Sequence, residues 1–327
     1  MENPIQNISD VMSMTQSDMD KVNQHLRLQL NSEVVLINQI AAYIINNGGK
    51  RLRPVLMVLI SKALNYQGNQ HINLAAVIEL IHTATLLHDD VVDESEMRRG
   101  EKTSHEIWGN SASVLVGDFL YSKSFQMMIQ ADNMQVMKIL SNATNRISEG
   151  EVQQLLNIGN LDITEENYFQ IIANKTAKLF EAACELAGVI ANKDSETIHQ
   201  LGQFGMNLGT AFQIADDVLD YTADDQSLGK NLGDDFKEGK LTLPLIYLLK
   251  HGNEQQRQSV HQAIKNPEST DFNAIKEMVI QSDAIQYTLN QAKKLSQDAK
   301  QTLDKITDSK AKEALGFLCD YAWKRSV

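Results

Sequence analysis

The sequence of 327 residues is poor in residues that interrupt helices or link segments covalently. It has four prolines and two cysteines, and its net charge is −12. So few prolines favour a mostly helical fold, and the acidic balance argues against a nucleic-acid-binding protein. Cys184 and Cys319 belong to no CxxC spacing, which indicates buried thiols in a reducing compartment rather than a disulfide framework or a zinc site.

Long apolar segments and common nucleotide-binding motifs are also absent. No apolar run reaches the roughly 18 residues that span a membrane, and the first residues lack the basic and apolar regions of a signal peptide. We find no GxGxxG or GxxxxGK[ST] motif, no alternating strand pattern and no repeat. The sequence therefore predicts one cytoplasmic, all-α domain over residues 1–327, with residues 1–20 docked only loosely.

Apolar residues recur at the three-to-four spacing of helices through most of the chain. A capping pattern opens one helix at Thr164, and Gly48-Gly49 ends another. This spacing predicts helices over about 21–47, 55–64, 73–93, 112–130, 134–157 and 164–190, and one more from Ser195 through residue 221.

An acidic cluster ends the predicted helix 73–93. Asp89 and Asp93 are four residues apart, so they share one face of the helix, with Asp90 beside them. Thr85 and His82 precede them on the same stripe. Gathering carboxylates beside apolar residues is costly unless a cation compensates, and hard oxygen ligands suit Mg²⁺.

The same spacing recurs in the helix that contains Asp216, Asp217 and Asp220, where Gln213 lies one turn earlier. Either cluster alone is equally typical of a solvated acidic helix end. Two copies inside apolar runs favour a metal site, and each copy is followed by basic residues: Arg98 and Arg99 after the first, and Lys230, Lys237 and Lys240 after the second. With Lys50, Arg51 and Arg53, this pattern indicates a polyphosphate ligand, and we expect the two clusters to meet across one cavity.

Small residues lie below the first cluster. Ala84 and Thr85 leave room where an aromatic side chain would block a cavity, although ordinary core filling explains them as well. We expect an apolar shaft here, with Met128 on a neighbouring helix as part of its floor.

Seven segments in this order resemble the trans-polyprenyl diphosphate synthases, in particular the bacterial octaprenyl diphosphate synthases of quinone biosynthesis. The resemblance runs from about residue 40 to 250, and its segments are GGKRLRP, IHTATLLHDDVVDESEMRRG, GNSASVLVGDFLYSKSFQMM, EGEVQQL, NKTAKLFEAA, GTAFQIADDVLDY and GKNLGDDFKEGKLTLP. It implies the all-α isoprenoid synthase fold, a helical bundle around a central cavity, and usually a homodimer. Ser104-His105 and Leu241 depart from the usual family residues, which affects only loop detail.

The resemblance also assigns roles. The six aspartates of the two clusters would be catalytic, and Asp89, Asp93 and Asp216 would be direct ligands of Mg²⁺. Isopentenyl diphosphate would contact Lys50, Arg53, His82 and Arg99; the allylic diphosphate would contact Arg98, Lys175, Thr176, Gln213, Lys230 and Lys240. Ala84, Thr85 and Met128 would set the product length, and the long apolar product would leave through a transient membrane contact.

Three alternatives remain open. A short-chain synthase making farnesyl or geranylgeranyl diphosphate would share both clusters, but Ala84 and Thr85 argue against it because neither blocks the shaft. A non-catalytic subunit that regulates a partner synthase would be expected to lack some of these aspartates or basic residues. A terpene cyclase would fit one aspartate motif but neither the second DDxxD nor GGKRLRP.

Overall fold

The computed structural model describes residues 4–223, 233–266 and 269–325. In chain order, the helices and strands are α1 Ile8–Gln29, α2 Val35–Asn46, α3 Leu52–Ala63, α4 Gln70–Val92, β1 Met97–Arg98, β2 Glu101–Lys102, α5 Ser104–Trp108, α6 Asn110–Ile129, α7 Met134–Leu156, α8 Glu165–Ile172, a π-helix Ala173–Ala177, α9 Lys178–Ile190, α10 Ser195–Thr222, α11 Asp234–Lys237, α12 Leu243–His251, α13 Glu254–Lys265, α14 Phe272–Gln281, α15 Ala284–Thr302, a 3₁₀-helix Leu303–Lys305, and α16 Lys310–Lys324. The prediction of an all-α fold is confirmed.

The chain divides into two compact units. Unit 1 comprises Met1–Thr144, Leu179–Gly205 and Thr302–Leu318; unit 2 comprises Asn145–Lys178, Met206–Gln301 and Cys319–Val327. The prediction of a single domain over residues 1–327 stays a prediction.

Helix α4 is the central helix of unit 1. Its residues from Leu74 to Ile81 are buried on every side, and it packs against α1, α3 and α6. A helix that is apolar all round is stable only when neighbours cover it completely. The packing thus fixes α4, which carries the first aspartate motif at its end.

The first helix differs from its prediction. The sequence predicts loose docking for residues 1–20, but Val11, Met19 and Val22 of α1 are buried. The largely buried carboxylate of Asp18 forms an ion pair of 2.6 Å with Lys62 of α3. Apolar burial and this ion pair both attach α1 to the rest of unit 1.

The predicted helix over 21–47 is also wrong, because α1 ends at Gln29 and α2 begins at Val35. The amide of Asn38 bonds the backbone of Ser32, donating to its carbonyl at 2.7 Å and accepting from its N–H at 3.0 Å. Asn and Ser side chains compete with helical hydrogen bonds in this way, which explains the break.

A two-residue turn joins β1 to β2 in a hairpin, although the sequence shows no alternating strand pattern there. Met97 pairs with Lys102, and Arg98 pairs with Glu101. Arg99 and Gly100 form the turn with φ values of 56° and 80°, as a type I′ turn requires. Arg is unusual at such a position, so no local sequence pattern predicts the hairpin.

The core of unit 2 is built from residues of α8, the second half of α10 and α12, among others. Tyr168, Ile214, Tyr221, Phe236 and Leu243 are buried there together. Thr164 caps α8 through a reciprocal hydrogen-bond pair with Asn167, which confirms the predicted start of that helix. This core fixes α10, the helix that carries the second aspartate motif.

Candidate active site

The first aspartate motif lies at the end of α4, where Asp93 is the C-terminal cap. Asp89 and Asp93 are half-buried, whereas Asp90 is only 1% exposed. The Nε and Nη2 atoms of Arg98 both lie 2.6 Å from Oδ1 of Asp90. The middle aspartate therefore holds an arginine of the β1–β2 hairpin, and the two outer carboxylates remain accessible to solvent.

A basic cleft in unit 1 is lined by His82, Arg98 and Arg99, and Arg53 is hydrogen-bonded to His82. Nη1 of Arg53 donates to Nε2 of His82 at 3.1 Å, and its guanidinium lies 4.5 Å from the ring centroid of Phe180. Arginine has no acceptor, so this hydrogen bond places the imidazole proton on Nδ1. Burial, together with the charges of Arg53, Arg99 and Arg98, holds the pKa of His82 well below its usual value. His82 is therefore neutral at physiological pH.

The hairpin and the GGKRLRP loop meet at the rim of this cleft. Nη1 of Arg99 donates to the carbonyl of Asn47 at 3.1 Å, and a Cβ on Gly49 would lie 2.9 Å from the guanidinium carbon of Arg99. Arg51 and Arg99 have left-handed φ values of 48° and 56°. Such strained conformations concentrate at functional sites, where the surrounding structure imposes them. Lys50 lies exposed on the same loop.

Glu79 is an acidic residue in this basic cleft, one turn before His82. It is 7% exposed; Oε1 lies 3.6 Å from Nε of Arg51, and Oε2 is buried without a hydrogen-bond partner. Burial raises the pKa of Glu79, while the charges of Arg51, Arg53 and Arg99 oppose that rise. Glu79 thus provides a counter-charge among the arginines.

The second aspartate motif lies on α10, and its middle residue is also buried. Asp217 is 2% exposed; it accepts hydrogen bonds from the hydroxyl of Tyr168 at 2.5 Å and from Nε2 of Gln213 at 2.9 Å. Burial and the nearby charges of Asp235 and Asp216 raise the pKa of Asp217 well above its usual value. Neutral donors hold this aspartate, in contrast to Asp90.

The outer aspartates of this motif have different partners. Oδ1 of Asp216 lies 2.8 Å from Nη2 of Arg325, which follows α16. Oδ1 of Asp220 accepts from the backbone N–H of Gly233 at 3.0 Å. Lys240 pairs with Glu238 at 2.5 Å, and Lys230 lies outside the described residues.

The π-helix contains the predicted Lys175 and Thr176. π-helical turns are rare and frequently mark functional sites. Lys175 pairs with Glu151 at 2.6 Å and donates to Gln154 at 2.7 Å, both on α7, while Thr176 donates to Gln213 at 2.9 Å. Gly150 permits this approach, since a Cβ there would lie 2.7 Å from the backbone nitrogen of Lys175. Thr176, Gln213 and Asp217 consequently form one hydrogen-bonded chain.

The three predicted chain-length residues lie in unit 1. Ala84 and Met128 are fully buried on α4 and α6. Thr85 is half-buried, and its hydroxyl donates to the carbonyl of His82 at 2.9 Å. Their effect on product length stays a prediction, as does the expectation that the two acidic clusters meet across one cavity.

Known proteins match nearly the whole chain. The sequence model described as "Polyprenyl synthetase" matches residues 34–281. The chain is 46% identical to the octaprenyl diphosphate synthase of Escherichia coli over 98% of its length and 99% of the relative's, and 43% identical to that of Haemophilus influenzae over 95% of each. A polyprenyl synthase of Caulobacter crescentus, solved with calcium and isoprenyl diphosphate, is 39% identical with a TM-score of 0.95 over 100% of both chains.

The chain belongs to the polyprenyl synthetase family. A decaprenyl diphosphate synthase structure from Rhodobacter capsulatus is also similar, with 40% identity and a TM-score of 0.92 over 98% of this chain and 100% of that one. The predicted family and the isoprenoid synthase fold are thereby confirmed, and this polyprenyl synthetase is a prenyltransferase.

The donor set fits a metal that needs few protein ligands. Across the described ranges, no three His, Cys, Asp or Glu side chains form a group that could hold a metal ion by themselves. Mg²⁺ usually takes one or two carboxylates and completes its shell with water and substrate phosphates. The accessible oxygens of Asp89, Asp93 and Asp216 are hard donors of this kind.

Among the helices described, none is long and apolar enough to cross a membrane.

Four residues of this polyprenyl synthetase with contacts to the site were not among the predictions: Glu79, Glu151, Tyr168 and Arg325. Glu79 had a detectable signal, because it is the one charged residue between Ile72 and Ile81, in a mostly apolar helix. The other three are ordinary in type and reach their partners only through folding; Arg325, for example, lies 109 positions beyond Asp216.

Proposed function

We propose that this protein is a long-chain all-trans-polyprenyl diphosphate synthase that makes octaprenyl diphosphate for a quinone side chain. It would add isopentenyl diphosphate repeatedly to an allylic diphosphate such as farnesyl diphosphate. The observation that carries this proposal is a shared arrangement: each aspartate motif buries its middle carboxylate and pairs one aspartate with an arginine, and Asp89, Asp93 and Asp216 are partly exposed. The octaprenyl diphosphate synthases of E. coli and H. influenzae support the product length.

Asp89, Asp93 and Asp216 would hold Mg²⁺, with Asp90, Asp217 and Asp220 orienting the motifs. The C. crescentus relative, solved with calcium and isoprenyl diphosphate, supports a divalent cation. Bound there, the metal would stabilise the negative charge that develops on the leaving diphosphate as the allylic C–O bond breaks.

Isopentenyl diphosphate would bind the basic cleft of unit 1. Arg53 and Arg99 present guanidinium groups that can grip phosphate oxygens in pairs, and Lys50 adds a charge at the rim. His82, neutral and protonated on Nδ1, would donate one hydrogen bond without adding charge. These contacts would place the double bond of isopentenyl diphosphate for attack on the allylic carbon.

The allylic diphosphate would bind Arg98, Lys175, Thr176, Gln213, Lys230 and Lys240. Asp90 orients Arg98, and Glu151 and Gln154 hold the ammonium group of Lys175. Preorganised donors cost little reorganisation when charge develops. The proton released after each condensation would leave with the diphosphate, whose oxygens can accept it.

Product length would be set where the growing chain meets the side chains below Asp89. Each buried CH₂ contributes roughly 0.8 kcal/mol, so a longer chain is held more strongly until it meets the floor. Replacing Ala84 with Tyr would place a ring one turn below the motif and should shorten the product. If A84Y makes the same product as wild type, the role of Ala84 is refuted, while the synthase activity is unaffected by that result.

The proposal is tested by mass analysis of the products from farnesyl diphosphate, excess isopentenyl diphosphate and Mg²⁺. We expect mainly octaprenyl diphosphate. Farnesyl or geranylgeranyl diphosphate as the final product would indicate a short-chain synthase. No product from folded protein would indicate a regulatory subunit instead.

We also infer that the protein acts as a homodimer in the cytoplasm, with a transient membrane contact when its long apolar product leaves. The homodimer is supported by α6, which exposes Leu115 and Ile129, each 66% accessible. A second copy packed on this helix would remove both side chains from water. One chain has a mass of 36.6 kDa, and light scattering of the purified protein should give twice that value. A monomeric mass would contradict the inference.

A further inference from the structure

Arg325 is held against the second aspartate motif by four contacts. Its Nη2 lies 2.8 Å from Oδ1 of Asp216 and donates to the carbonyl of Phe212 at 2.6 Å. Its guanidinium stacks 3.4 Å from the ring centroid of Phe212, and its Nε donates to Ala322 at 3.4 Å. The side chain of Arg325 is 15% exposed and that of Asp216 is 42% exposed. These contacts hold the guanidinium in one position beside Asp216, while the carboxylate stays partly exposed.

Asp216 is also the carboxylate of this motif that would bind the metal. A guanidinium already offsets the negative charge of the carboxylate it contacts, and that charge is what attracts Mg²⁺ to an oxygen ligand. The two cations therefore compete for the charge of Asp216.

We infer that Arg325 is an internal counter-cation of the second aspartate motif, which occupies Asp216 in the metal-free protein and must release it when the divalent cation binds. This inference rests on the proposed function, because it takes Asp216 as a metal ligand. Arg325 thereby lowers the affinity of the second aspartate motif for the divalent cation by acting on Asp216. In the metal-free protein, this ion pair neutralises the carboxylate of Asp216 and fixes the end of α16 against α10.

Removing the competing charge should strengthen metal binding. We propose to titrate the full-length protein with Mn²⁺ alone, a spectroscopic substitute for Mg²⁺, and to measure free Mn²⁺ by electron paramagnetic resonance. Compared with wild type, R325Q should bind Mn²⁺ about threefold more tightly, the factor expected for an ion pair of this exposure. R325K, which keeps the charge but loses the planar fork, should lie between the two.

Two controls assign the effect to this pair. K324Q removes the neighbouring positive charge, which lies 4.0 Å from Asp320 rather than on the motif, and should bind Mn²⁺ as wild type does. D216N should abolish the gain, so that R325Q has no further effect in the D216N protein.

Thermal unfolding provides a second readout. R325Q should lower the melting temperature in metal-free buffer, and saturating Mn²⁺ should reduce that difference, because the pair is already broken in the metal-bound protein. Unchanged or weaker Mn²⁺ binding in R325Q, or an equal loss of melting temperature with and without Mn²⁺, would overturn the inference. Product formation by wild type, measured on the same preparation, tests the proposed function separately.

Discussion

The two aspartate motifs have the same sequence spacing but different electrostatic settings. In the first, the buried middle aspartate, Asp90, neutralises Arg98 at 2.6 Å. In the second, the buried middle aspartate, Asp217, accepts from the neutral donors Tyr168 and Gln213 within the described part of the chain. Burial and neighbouring carboxylates accordingly raise the pKa of Asp217 well above its usual value. In the second motif, an arginine, Arg325, pairs with the outer aspartate Asp216 and not with the middle one.

This difference shows that a short motif fixes which residues face inward and outward on a helix, but not their charge partners. Spacing on a helix orients side chains, and that part is local. The partners of Asp90 and Asp217 come from other segments, so they follow from the fold. Each motif can consequently be perturbed by a different substitution, with a different expected cost.

The largest expected effect concerns the outer aspartates. D89N and D216N each remove a hard oxygen ligand and should lower kcat/KM about 10³-fold, since metal stabilisation of the transition state is worth several kcal/mol. D20N, which neutralises an exposed aspartate on α1, should leave kcat/KM unchanged. Steady-state kinetics with farnesyl diphosphate and isopentenyl diphosphate would check this. Retention of more than about a tenth of the wild-type kcat/KM in either variant would refute the metal role of that residue.

The next effect separates the middle aspartates by stability. D90N leaves Arg98, which is 20% exposed, without its counter-charge, and should cost about 3 kcal/mol of unfolding free energy. D217N replaces a buried carboxyl that accepts from the neutral donors Tyr168 and Gln213, and should cost about 1 kcal/mol or less. Urea denaturation of both variants tests the comparison. Equal losses would show that the two settings are energetically alike.

The sequence predicts the local parts of this account well. The acidic helix was expected over 73–93 and is observed at Gln70–Val92, and the cap at Thr164 was expected from its residue pattern. Apolar spacing and capping patterns act over a few residues, so a single sequence contains them.

Other features depend on interactions that no local pattern specifies. The break after Gln29 depends on a hydrogen bond from Asn38, and the π-helix at residues 173–177 interrupts an otherwise regular apolar spacing. The site follows the same division. Aspartates and basic residues inside motifs were recognisable, whereas Glu151 and Arg325 reach the site only through tertiary contacts.

A smaller effect is expected for Glu79, the buried counter-charge in the basic cleft of unit 1. Without its charge, Arg51, Arg53 and Arg99 would repel one another and lose their fixed orientation. E79Q should therefore raise KM for isopentenyl diphosphate about fivefold, as expected for roughly 1 kcal/mol of lost positioning. KM for the allylic diphosphate should not change.

The matched control for Glu79 is E101Q, which neutralises an exposed carboxylate at the same cleft. If simple attraction between the basic cleft and the anionic diphosphate dominated, removing the negative charge of either glutamate would lower KM for isopentenyl diphosphate. A fall in KM for E79Q would therefore refute the positioning role.

The smallest effect is a pH dependence of stability. The pKa of His82 is lower in the folded than in the unfolded protein, so the unfolded state binds the additional proton. Stability is then fully present above the unfolded value of about 6.5 and is lost as the pH falls below it. H82Q should weaken this loss between about pH 7.5 and pH 5.5.

Urea midpoints at several pH values would check this prediction. H199Q, which replaces an exposed histidine on α10, serves as the control and should keep the wild-type slope. The same slope in H82Q and wild type would show that His82 does not contribute.

The central claim is that both aspartate motifs, despite their different settings, are needed for metal-dependent binding of the allylic diphosphate. It is tested most directly by calorimetric titration with an unreactive thiolo analogue of farnesyl diphosphate, with and without Mg²⁺. Wild type should bind the analogue much more tightly with Mg²⁺, and both D89N and D216N should lose that gain. Full Mg²⁺-dependent tightening in either variant would contradict the claim.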